Sequence, residues 1–137
     1  MEEMLQQTDK TKEDFYSTFD ERYPFVKEDC YTYWYKNEAG FIYEMMREFY
    51  FYCEKYELKP TFSFGKVFVT SKNADKWYFI PRKGKIILMH KNHYYKDVGE
   101  YHKQFTKEIT MEQLATYMNE HDRAKYTSEF VNFSTKQ

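Results

Sequence analysis

The chain has 137 residues, with 21 Lys and Arg set against 22 Asp and Glu, a formal net charge of −1. A chain of this length makes about one domain and buries roughly two thirds of its unfolded surface, enough for a core without disulfide or metal staples. The near-neutral total excludes a uniformly basic nucleic-acid domain. The longest apolar run, residues 49–53, is far short of the ~20 residues that span a bilayer, so no membrane partner is expected.

The material for the core is unusual: 15 Tyr, 13 Phe and 2 Trp stand against 14 Ile, Leu and Val. Each ring can bury ~150–250 Å², so a few replace many aliphatics, but tyrosine hydroxyls must reach water or a partner. Lys, Tyr, Phe and Asn also share AT-rich codons, so the excess by itself implies no function. The opening stretch Met1 to Gln7 is acidic and has no apolar centre, so a secretory leader is not expected and the compartment is expected to be cytoplasmic. Cys30 and Cys53 are then expected to be free thiols.

Residues 1–10 are polar and are expected to be disordered, with 11–137 forming one domain. Thr11 can cap a first helix whose Phe15, Phe19 and Tyr23 fall at four-residue steps, and Pro24 is expected to stop it. Cys30 to Tyr35 is rich in strand formers and is read as a strand. From Ala39 to Leu58, the stripe Ile42, Met45, Met46, Phe49, Cys53 and Tyr56 predicts a long helix.

Three strands follow. In residues 62–69 the apolar parity changes at Gly65, and a β-bulge there would keep Phe62, Phe64, Val67 and Val69 on one face. Residues 76–81 and 85–91 are the next two, joined by a turn from Pro81 to Gly84. Residues 92–109 read as a long loop. Thr110 and Gln113 form a capping box that opens a helix carrying Met111, Leu114, Met118 and His121 along one side. The fold class expected is α+β: a small antiparallel β-meander of about three to four strands packed against two to three helices.

Charge is strongly segregated. Residues 1–58 hold 7 Lys and Arg against 14 Asp and Glu, whereas residues 59–107 hold 11 against 3. In the basic block lysines alternate with rings, a composition suited to nucleic acid, because cations neutralise phosphates and rings stack on unpaired bases. The binding set expected is Lys76, Arg82, Lys83, Lys85, Lys91, Tyr94, Tyr95, Lys96 and Lys103. The function expected is non-enzymatic binding of nucleic acid or of a nucleic-acid-binding protein. A small binder of this kind would suit a phage or mobile-element inhibitor of host defence, and the acidic half could itself imitate nucleic acid.

Two alternatives stand beside it. His90, His93 and His102 with Lys91 or Lys103 supply the residue types of a metal-independent ribonuclease: a base for the 2′-hydroxyl, an acid for the leaving oxygen and a cation for the phosphorane. The aromatic-rich long helix also suits a structural homodimer. No cofactor or metal is expected, since no cysteine or carboxylate completes a recognised spacing with these histidines, and His121 falls in a last helical turn, where a cation suits the helix dipole. The glycines at 40, 65, 84 and 99 stand alone and form no phosphate-binding loop.

Overall fold

The computed structural model describes residues 2–91 and 100–122, with side chains from Thr11 onward. Among these, α1 (Glu2–Arg22), α2 (Pro24–Tyr33) and α3 (Lys36–Lys55) precede β1 (Lys59–Ser63), β2 (Lys66–Thr70), β3 (Lys76–Phe79), β4 (Lys85–Lys91) and β5 (His102–Glu108). Residues 111–122 form a further helix, α4. The strands make one antiparallel sheet in the order β1-β2-β3-β4-β5. The fold is α+β, with five strands rather than three to four. No described helix is long and apolar enough to cross a membrane.

The first helix begins at Glu2, upstream of the Thr11 cap expected for it. Phe15 and Phe19 are buried as their spacing requires, and Phe19 meets Tyr50 of α3 edge-on at 5.6 Å. Pro24 does end this helix, but it also occupies the first turn of α2, where its missing N–H is no loss. The expected strand at Cys30 to Tyr35 is therefore a correction: the segment is helical through Tyr33. Val26 and Cys30 are one helical step apart and both fully buried, whereas the run has no two-residue alternation to sustain a strand. Packing overrides the β-preference of its tyrosines.

Helix α3 buries Ala39, Ile42, Met46, Phe49, Tyr50, Tyr52 and Cys53. Its wide stripe faces the core, with Met45 only half-buried. The helix ends in a Schellman closure: Glu57 takes φ 58°, the Glu57 N–H donates to the Glu54 carbonyl at 3.3 Å, and the Leu58 N–H donates to Cys53 at 2.8 Å. Leu58 is buried against the core as that motif favours. This is why the helix stops short of the expected Leu58.

The bulge expected at Gly65 is a two-residue hairpin turn instead. Phe64 and Gly65 have φ 51° and 77°, and Ser63 pairs with Lys66 across them. Reversing the chain resets the apolar parity as a bulge would, so Phe62 and Val67 face each other in the core while Phe64 sits at the tip, 78% exposed. Gly84 takes φ 89° in the β3–β4 turn, as expected. Residues 102–108, expected within a loop, form β5. Its residues are mostly polar on both sides, as at an edge strand, and Gln104 bulges opposite Leu88 and Met89.

The capping box is present: the Gln113 N–H donates to Thr110 Oγ1 and the Thr110 N–H to Gln113 Oε1, each at 3.0 Å. It starts α4 so that Met111, Leu114, Ala115 and Met118 are buried. Helices α3 and α4 cover the same sheet face. Phe49 meets Phe79 edge-on at 5.1 Å, and Trp77 lies 6.1 Å from Tyr117. Phe62, Val67, Val69, Trp77, Phe79, Ile86 and Leu88 supply the sheet's half of the core.

Candidate nucleic-acid interface

Burying those alternate residues turns their neighbours to the other face. Register aligns them in rows: Phe68 opposes Tyr78 and Tyr78 opposes Met89, which opposes Lys103. In the adjacent row Thr70 opposes Lys76 and Lys76 opposes Lys91. Lys59 and Lys66 join from β1 and β2, and Lys85 from β4. Among the described strand residues this outer face carries six lysines and one carboxylate, Glu108, which opposes Lys85.

Three rings run between the lysines. Phe68 and Tyr78 have centroids 5.6 Å apart, and Tyr78 meets Tyr101 edge-on at 4.7 Å. Lys66 Nζ lies 5.6 Å from the Tyr78 centroid and Lys91 Nζ 5.8 Å from that of Tyr101. Phe68 remains 37% exposed, and Ile87 of β4, on the same sheet face, is also exposed. Burial, and then the neighbouring Tyr78, raise the Tyr101 phenol above its ordinary value, so it is neutral at physiological pH.

Lys76, Lys85, Lys91 and Lys103 of the expected binding set thus share one surface. Arg82 and Lys83 do not. They stand in the β3–β4 turn, in a cleft with Phe41, Glu44, Glu48 and Thr110, where Lys83 Nζ lies 4.8 Å from the Phe41 ring. Tyr94, Tyr95 and Lys96 lie outside the described residues. Reading single residues rather than strand faces missed Lys66, Phe68, Tyr78 and Tyr101. The signal was the alternation Lys66-Val67-Phe68-Val69-Thr70, once the turn at Gly65 is placed.

Of the ribonuclease alternative's residues that are described, His90 and His102 lie on the opposite sheet face from Lys91 and Lys103. His90 faces the core, 3% exposed, while Lys91 projects from the opposite side of β4. An acid, a base and a cation must reach the same phosphate, and those two cannot. His102 opposes His90 on the core side with ring centroids 5.2 Å apart, and its Nε2 lies 3.2 Å from Gln104 Oε1. His93 lies outside the described residues. Below His90, the Asp75 Oδ2 is 3.3 Å from its Nε2, Trp77 lies against the imidazole with centroids 4.1 Å apart and planes tilted by 33°, and His121 approaches at 5.0 Å. His121 is therefore packed into a polar cluster rather than serving only as the helix-end cation expected.

Both cysteines are free and buried. Burial pushes the Cys30 thiol up to about 12 and Cys53 well above its usual range, so neither is a nucleophile at neutral pH. No family model, curated protein or solved structure matches this chain.

Proposed function

We propose that the protein binds single-stranded nucleic acid across the open face of its sheet. The observation that carries this reading is the contiguous strip Phe68, Tyr78 and Tyr101 flanked by Lys66, Lys76 and Lys91. Unpaired bases stack on exposed rings at ~1–3 kcal/mol each without regard to sequence, and lysines beside them follow the backbone. A flat sheet face suits splayed bases better than duplex, whose major groove admits a helix or a narrow two-stranded ribbon. The acidic surplus lies in the helical half of the chain, so repulsion from that side would orient an approaching strand onto the sheet.

Fluorescence anisotropy with labelled oligo(U), oligo(dT) and a duplex of matched length tests the reading. Expected is tighter binding of the single strands, with log K falling against log salt at ~0.7 for each phosphate neutralised. Absence of binding at low salt, or binding that the double variant K76Q/K91Q leaves unchanged, overturns it.

A further inference from the structure

We propose that Asp75, His90 and His121 constitute a binding site for a divalent transition-metal ion of the zinc class. One donor atom from each residue lies within 4.8 Å of the others. Asp75 is fully buried and His90 nearly so. Two imidazoles and one carboxylate are a donor set that takes Zn²⁺, Co²⁺, Ni²⁺ or Fe²⁺ and is a poor match for Mg²⁺ or Ca²⁺, which prefer oxygen alone.

The spacing within the cluster supports an ion. The Asp75 Oδ2 and His90 Nε2 are 3.3 Å apart, at the long end for a hydrogen bond between a carboxylate and an imidazole. Two donors bound tetrahedrally at zinc–nitrogen and zinc–oxygen lengths stand about 3.3 Å apart. The fold also holds the three residues together although they are far apart in the chain. Ala74, at φ 67°, turns the β2–β3 loop so that Asp75 enters the core. Asp122, the neighbour of His121, accepts from Ser71 Oγ at 2.8 Å and from the Asn73 N–H at 3.3 Å, which clamps that loop to α4. The carboxylate, the strand imidazole and the helix imidazole are therefore positioned by separate elements joined through one buried clamp. Trp77 walls the site on one side and His102 borders it on the other side of His90. Three protein ligands leave a fourth position for water.

In this site the ion ties the β2–β3 loop, β4 and α4 together. The site is separate from the outer sheet face, since His90 and Lys91 project from opposite sides of the same strand.

The test uses the full chain after treatment with EDTA and removal of the chelator. Titration with Co²⁺ is expected to produce visible d–d absorption that saturates at one equivalent and is displaced by Zn²⁺. Zn²⁺ should raise Tm, and Co²⁺ should quench Trp77 emission in a W34F background. H121Q, on the half-exposed rim of the cluster, should lose at least tenfold in Co²⁺ affinity and most of the Zn²⁺-induced Tm shift. D75N should do the same if it folds, and H121Q decides the matter if it does not. H102Q should retain the wild-type affinity. No cobalt absorption together with no Tm shift overturns the proposal, as does undiminished binding in H121Q.

Discussion

Lys76 of β3 and Lys91 of β4 face each other on the outer side of the sheet, directly in register. Like charges so placed repel, and among the described residues neither has a carboxylate within ion-pair distance. A pair that costs stability in the isolated protein is expected where an anion bridges it in the complex.

Neutralising one member should thus separate stability from binding. Lys76→Gln or Lys91→Gln is expected to leave the unfolding free energy measured in urea unchanged or raise it by about a few tenths of a kcal/mol. The same variants should weaken single-strand affinity and flatten the salt dependence by ~0.7 per lysine. Parallel denaturation and anisotropy titrations check both, and a fall in stability with unchanged affinity would contradict the assignment.

The rings should behave differently. Tyr78→Ala is expected to lose ~1–3 kcal/mol of single-strand affinity while leaving the salt slope unaltered, because stacking releases no counterions. Tyr78 sits between Phe68 and Tyr101, so its removal interrupts the strip and should exceed the effect of Phe68→Ala. Affinity measured at four or more salt concentrations separates the two contributions.

Phe49 lies at the centre of the core, fully buried and packed edge-on against Phe79 at 5.1 Å. Phe49→Ala should cost ~3–5 kcal/mol, the usual range for emptying a ring-sized site. Chemical denaturation monitored by circular dichroism gives the value. Met45→Ala, at a half-buried position on the same helix, should cost clearly less.

Alkali should unfold the protein through groups that cannot ionise in place. Burial moves the Cys30 thiol from 9.0 to about 12, and burial with the hydrogen bond to Asp20 moves the Tyr43 phenol from 10.0 to about 12. Both pKa values are raised on folding, so their stabilisation is complete below the unfolded values. It is lost as pH rises through 9–10 toward about 12. Unfolding free energy measured from pH 8 to 11 should fall steadily, and native protein at pH 8 should react with a thiol reagent only at the rate of unfolding.

Local chemistry was sufficient for several elements. Phe15 and Phe19 at helical spacing, the Thr110 and Gln113 box, and the glycine that turns β3 into β4 each act through neighbours within a few residues. Segregation of basic charge into residues 59–107 was likewise legible, because composition needs no fold. Tertiary structure decided the rest. It made Cys30 to Tyr33 a helix, since Val26 and Cys30 gain more by entering the core than the tyrosines gain as a strand. It turned Gly65 from a bulge into a hairpin, a choice that depends on whether the following residues pair back on β1. It also divided the basic block in two, because strand alternation sends Lys91 to the outer face and His90 to the core, where Asp75 and His121 arrive from a loop and a helix. Their separations of 15 and 31 positions in the chain fit no local spacing. Only the packing of α4 on the sheet could bring those three side chains together.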